Sequence, residues 1–428
     1  MFLLKFFYAV MNLISIKMIL KININQFFLF MILARLSVIH FDEHPAMKMP
    51  FYQLQHKQDL IRHFTPNWFT VVMGTGVVAL ILPQLPFASQ LMWSLGAGLW
   101  QINVGLFILF SVLYLCRWVL YPQEAKLIFK HPVMSLFLGA IPMALATLIN
   151  GALKFGPMLY AQEHFATLLL WAEYLWYVDV LLAVAIAWCV PFMMFSRQQH
   201  ALQGMTAVWL LPIVACEVAA SSGALLLAHL PADSHTANIL LGSYVLWGIS
   251  VLPAFGILTI LLLRLALHQL PSKDMAISSW LALGPIGTGA LALLLLGEQA
   301  PRILTAVNLE SLGSILQQGG ILAALILLGF GLWWLGIAIL TTFKHLGDLP
   351  FNLGWWAMTF PLGVFSLAVM SLAEQTQLYS IALCGSSLAI LLCALWLMVI
   401  SKTIQGFYRG TLFFSPCLKT YITAKTTT

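Results

Sequence analysis

The chain has 428 residues, 61% of them hydrophobic and only 8% charged, with a formal net charge of +6. A soluble domain carries roughly 25% charged residues, so this composition excludes a soluble globular protein. The basic residues form no continuous patch, which also excludes a nucleic-acid partner.

The first apolar stretches, up to about residue 47, carry Lys5, Lys17, Lys21 and Arg35 and no small-residue cleavage site. They are read either as an additional segment or as sequence upstream of a start at Met47 or Met49. Ten apolar runs follow, at 67–85, 96–119, 132–153, 168–192, 205–228, 239–267, 277–296, 321–342, 353–372 and 379–401. Each is close to the roughly 20 residues that cross a bilayer as a helix. Hydrocarbon offers the backbone no hydrogen-bond partner, so these runs are expected as helices. The expected organisation is an N-terminal segment over 1–63, a ten-helix membrane domain over 64–403 and a tail over 404–428.

Lysines and arginines fall on alternate connectors. One set holds Lys48, Lys57, Arg62, Arg117, Lys126, Lys130, Arg197, Arg264, Lys273, Lys344, Lys402, Arg409, Lys419 and Lys425, and the other holds only Lys154 and Arg302. Cytoplasmic connectors are the enriched ones, so both termini are expected in the cytoplasm; the expected location is the plasma (inner) membrane.

Breakers recur in the odd-numbered helices: Gly74, Thr75 and Gly76, then Pro142, Pro212, Pro285 with Gly284 and Gly287, and Pro361 with Gly363. The prolines are spaced 70 to 76 residues apart, one helical hairpin each. A proline in a helix interior costs about 3 kcal/mol or more and persists in a membrane where neighbouring helices or a watery cavity re-satisfy the backbone. The reading is an all-α polytopic membrane protein of five helical hairpins, with odd helices kinked around a central pore and even helices toward lipid.

Two acidic residues fall near mid-membrane, Asp179 in the fourth run and Glu217 in the fifth. An aspartate there costs about 2.5–3.5 kcal/mol to insert, so a role or a partner is expected. Glu217, on an inner helix, fits either a proton taken up with each solute or a hydrogen bond between helices; Asp179 reads as structural. The six cysteines make no C-x-x-C pair, and no H-E-x-x-H, G-x-S-x-G or G-x-x-x-x-G-K-[ST] string occurs. No catalytic group, metal or cofactor is expected.

The string Phe64-Thr65-Pro66-Asn67-Trp68-Phe69-Thr70 with Met73-Gly74-Thr75-Gly76 resembles the first-helix signature of the tellurite-resistance/dicarboxylate transporter family. So do Leu211-Pro212-Ile213-Val214, Leu283-Gly284-Pro285-Ile286-Gly287 and Trp355-Trp356-Ala357-Met358-Thr359-Phe360-Pro361-Leu362-Gly363. That resemblance implies ten helices in five hairpins, a homotrimer with one path per subunit, and a phenylalanine plug on the ninth helix, which is Phe360 here. It also implies small anionic solutes, malate-type dicarboxylates first and sulfite or tellurite-related species next. With no basic residue near mid-helix, an anion would meet no fixed countercharge; Arg117 and Lys344 at the cytoplasmic mouth and backbone dipoles at the kinks would help it enter. A proton-coupled cation or drug exporter using Asp179 and Glu217 is the alternative from another class.

Overall fold

The computed structural model describes residues 50–418 except 55 and 88; the segment up to residue 47, Lys48, Lys419 and Lys425 lie outside the described residues. All regular structure among the described residues is helical. Among the described residues ten spans are long and apolar enough to cross a membrane: α1 Pro66–Gln84, α2 Ser89–Leu120, α3 Met134–Leu159, α4 Gln162–Arg197, α5 Ala207–Leu227, α6 Ser234–His268, α7 Ala276–Thr305, α8 Glu310–Lys344, α9 Leu353–Thr376 and α10 Tyr379–Arg409. The protein is an integral, multi-pass membrane protein.

Odd and even spans differ in kind. In the most apolar stretch of each, 78–94% of residues are buried in the odd spans and 17–39% in the even ones. The even spans run 31–36 residues, about 46–54 Å at 1.5 Å per residue. This exceeds the roughly 30 Å hydrocarbon layer, so they tilt or project beyond it. Consecutive spans pack in pairs, and the odd spans close a ring: α1 touches α3, α3 touches α5, α5 touches α7, α7 touches α9, and α9 returns to α1.

Small residues permit this ring. With little hydrophobic drive between helices in lipid, association rests on close packing, which glycine allows. A Cβ on Gly287 would stand 2.7 Å from the Phe365 Cα of α9, and one on Gly363 would run into Val77 of α1. Gly74 backs onto Thr359 and Trp356 in the same way. These contacts hold α9 between α1 and α7.

The prolines lie elsewhere than the sequence pattern suggests. Every odd span opens with a 3₁₀ segment (Pro66–Trp68, Met134–Gly139, Ala207–Leu210, Ala276–Ala282, Leu353–Met358) and then winds on as an α-helix, at once or after one residue. Pro212 and Pro361 are second in their α segments, and Pro142 and Pro285 third. At the first α turn a proline gives up an N–H that has no α-helical partner, so the interior-kink penalty does not arise at these four. They mark a change of winding, from about 2.0 to 1.5 Å rise per residue. Helix-interior prolines do occur, as Pro157, Pro191, Pro253 and Pro301.

Candidate functional site

The 3₁₀ starts of all five odd spans converge on one cavity of about 510 Å³. Its wall takes Met73 from α1, Met143 from α3, Val214 from α5, Gly284 from α7 and Phe360 from α9. Five N-terminal helix ends therefore share one space. Each carries the partial positive charge of a helix N-terminus, roughly half an elementary charge in an isolated helix, which favours an anion without any ionised side chain; at α3 and α9 side chains already take part of it, Val133 and Met134 N–H donating to His131 Nδ1 and Gly354 N–H to Asn352 Oδ1.

The lining is mostly apolar, and among the described residues that form it there is no lysine, arginine or histidine. Three of its polar side chains are tied to nearby backbone: Thr70 Oγ1 donates to Asn67 O at 2.6 Å, Ser278 Oγ to Met275 O at 2.6 Å, and Asn352 Oδ1 accepts from Gly354 N at 2.7 Å. Asp274, exposed at the rim, is the one ionisable group of the lining.

Phe360 begins the α-helical part of α9, 5% exposed on the cavity wall. Its position is fixed from behind. Thr359 Oγ1 donates to Trp356 O at 2.7 Å, and Trp356 Nε1 donates to Thr403 Oγ1 of α10 at 3.1 Å. Pro361 joins Phe360 on the wall. Gly284 faces the open space, where a Cβ would meet nothing within 4 Å.

The other residues singled out from sequence do not line the cavity. Pro142, Pro212 and Pro285 lie beside the lining residues Met143, Leu211 and Gly284. Gly74 and Gly76 are packing contacts, Gly76 against Thr147 and Asn103. Thr75 Oγ1 accepts from Trp396 Nε1 of α10 at 3.2 Å, so it points outward from the ring. Gly287 serves the α7–α9 contact described above.

Glu217 and Asp179 are fully buried and stand off the cavity, and neither forms an ion pair among the described residues. The Glu217 carboxylate lies toward α6 and α7: Ser250 faces it, and a Cβ on Gly289 would stand 3.4 Å from Oε2. Neither Arg117 nor Lys344 lines the cavity. The Arg117 guanidinium is buried and donates to Phe64 O at 2.6 Å and Ser415 Oγ at 3.3 Å, and Lys344 is absent from the lining. A count of positive residues at a helix end shows on which side they fall, not where their side chains turn.

Sequence reasoning missed the segment after α10. Thr411, Leu412, Phe414 and Pro416 form part of the cavity wall. The only signal was the apolar, proline-containing string Leu412-Phe413-Phe414-Ser415-Pro416 directly after a spanning helix.

The sequence pattern of the voltage-dependent anion channel family matches residues 63–404. A sulfite efflux pump of Arthroderma otae is 37% identical over 346 residues, covering 80% of this chain and 91% of that protein. An uncharacterized transporter of Methanocaldococcus jannaschii is 29% identical over 363 residues, 84% of this chain and 98% of its own. A malic acid transport protein of Schizosaccharomyces pombe is 25% identical over 376 residues, with 84% and 82% covered.

Proposed function

The chain belongs to the voltage-dependent anion channel family and transports anions, and from that premise we propose that its solute is a small oxyanion of the sulfite class, passing through the five-helix cavity under control of Phe360. The observation that carries this reading is the convergence of five helix N-termini on an apolar wall that holds no fixed cation among the described residues. Such a wall favours one negative charge through backbone dipoles. It gives a second negative charge no ionised partner, and Asp274 at the rim opposes it. Hydrogensulfite, the singly charged form of sulfite, meets that condition, whereas a malate dianion does not and is the less favoured solute, the reverse of the order implied by the motif resemblance. The sulfite efflux pump at 37% identity points the same way.

In this account Phe360 closes the path as a hydrophobic constriction, by bulk and by excluding water. Glu217 and Asp179 act as helix-packing groups rather than proton carriers, because neither reaches the cavity. The same separation argues against a cation exporter. Assembly is a homotrimer with one path per subunit, in a plasma (inner) membrane with both termini cytoplasmic.

Flux measured in proteoliposomes with sulfite, chloride, nitrate, succinate and malate, with and without a pH gradient, tests the reading. Sulfite and the monovalent anions are expected to pass faster than the dicarboxylates, and without a gradient. Malate movement alone, or uptake strictly dependent on the gradient, would restore the dicarboxylate carrier with proton coupling.

A further inference from the structure

The segment that follows α10 is folded back rather than leaving the molecule. Gly410, at φ 86°, turns the chain in a conformation that favours glycine, with its N–H and that of Thr411 both donating to Gly406 O at 3.0 Å. Side chains beyond it then divide between two faces. Thr411, Leu412, Phe414 and Pro416 face the cavity, while Phe413 stacks on Trp68 at 5.2 Å between centroids and meets Phe51 and Phe407 edge-on or tilted.

Ser415 is the polar pivot of this segment and is fully buried. Its N–H donates to His63 Nδ1 at 3.1 Å, and its Oγ accepts from Arg117, whose other terminal nitrogen holds Phe64 O. A ring nitrogen that accepts from an amide cannot itself carry a proton. We propose that residues 411–416 are a strap across the end of the cavity, and that His63, Arg117 and Ser415 form its latch, closed while His63 Nδ1 is unprotonated and released by acid on that side of the membrane.

The surroundings of His63 set the sign. Burial is the largest influence and lowers the imidazole from its ordinary value; Arg62 beside it and Arg117 from α2 lower it further, while Asp59 and Glu124 oppose them. Arg62 and Glu124 largely answer each other through a two-pronged pair at 2.6 and 2.7 Å. Cys417, the residue directly after the strap, is pushed up to about 11 by burial and stays a thiol. Because the latched state lowers His63, it disfavours the proton. The latch is at full strength above the ordinary imidazole value near 6.5 and is lost as pH falls through the lowered one.

Cys417, directly after the strap, is 4% exposed and packs with Ile128 and Met134, so its exposure reports whether the strap is docked. Purified full-length protein is alkylated with a maleimide at about pH 7.5 and about pH 5.5, on either side of the ordinary imidazole value, and labelling at Cys417 is read by mass spectrometry. Each rate is divided by that of Ser415→Pro at the same pH, which lacks the N–H and cancels the pH dependence of the thiol. The wild-type ratio is expected to rise about fivefold on acidification, the worth of one typical hydrogen bond. His63→Gln, whose amide oxygen accepts at either pH, is expected to stay low throughout. An unchanged wild-type ratio, or a His63→Gln protein that responds like wild type, overturns the latch.

Hydrogen exchange of the 411–418 peptide in wild type and His63→Gln tests the latch without Ser415→Pro. Protection lost at low pH in the wild type alone supports the proposal, and equal protection in both proteins at both pH values overturns it. Anion flux, expected to rise with acid in the wild type alone, rests in addition on the cavity being the transport route. Strap release without a change in flux upholds the latch and counts against that route.

Discussion

Replacing Phe360 by alanine removes the one large aromatic ring that α9 presents at the start of its α-helix on the cavity wall. The ring is 5% exposed, so moving it aside to let an anion through costs at most the burial of a phenylalanine side chain, about 1.5–3 kcal/mol. At 1.4 kcal/mol per factor of ten, Phe360→Ala is expected to raise anion flux by about 10- to 100-fold. One side of the ring faces open space, so the cost in stability is expected to fall below the about 3–5 kcal/mol of a fully packed Phe→Ala change. The assay is chloride and sulfite flux from proteoliposomes at matched protein density, with elution profile and thermal midpoint measured on the same preparation. Phe360→Leu, which keeps most of the apolar bulk, should give a smaller rise. Wild-type flux from a Phe360→Ala protein that elutes and melts normally would refute the gate and the barrier worked out here.

Two neighbouring glycines on α7 should separate function from stability. A Cβ on Gly284 meets only open space, so Gly284→Leu is expected to leave the melting midpoint within about 2 °C while cutting flux at least about tenfold by filling the cavity. Gly287→Ala forces α7 off the Phe365 backbone and is expected to cost about 1–3 kcal/mol, read as a lower melting midpoint. Asp274→Asn removes the negative charge at the rim and should raise flux about two- to fivefold at low salt. The gain should shrink at physiological ionic strength, where the screening length is about 8 Å. Glu217→Gln, which keeps shape and hydrogen-bonding capacity off the cavity, should leave the pH dependence of flux unchanged; its loss would make Glu217 a proton carrier.

The parts of this fold legible in sequence were those written in hydrophobicity. Ten spans and their alternation between inner and outer character follow from the solvent: α5 is dominated by small residues such as Ala219, Ala220 and Gly223 that let helices approach, whereas α4 presents Trp171, Leu181 and Phe195 outward. The prolines identified the odd spans correctly but not their own depth, because hydropathy does not distinguish a 3₁₀ turn from an α turn. Pro212 and Pro361 read as mid-helix breakers only because the 3₁₀ residues before them are just as apolar as the α residues after them. Of the residues picked for the site, Phe360 and Pro361 do reach the cavity.

Side-chain direction was the part that could not be read. Glu217 lies on an inner span, yet it turns toward Ser250 and Gly289 rather than the cavity. Arg117 looked like a free cation at the mouth, and its partner Ser415 is 298 residues further along the chain. A contact that distant leaves no local pattern. The strap over the cavity escaped notice for the same reason: it has no periodicity of its own, and its meaning comes from the surface on which it lands.

The claim that anions travel through the cavity bounded by the five odd-span N-termini is tested most directly at Gly284, where there is room for a probe. In Gly284→Cys, a negatively charged maleimide is attached to the introduced thiol, excess reagent is removed, and chloride and sulfite flux are measured beside reagent-treated wild type. The account predicts that flux collapses in the labelled variant and persists in the wild type. Full labelling at position 284 with undiminished flux would contradict it.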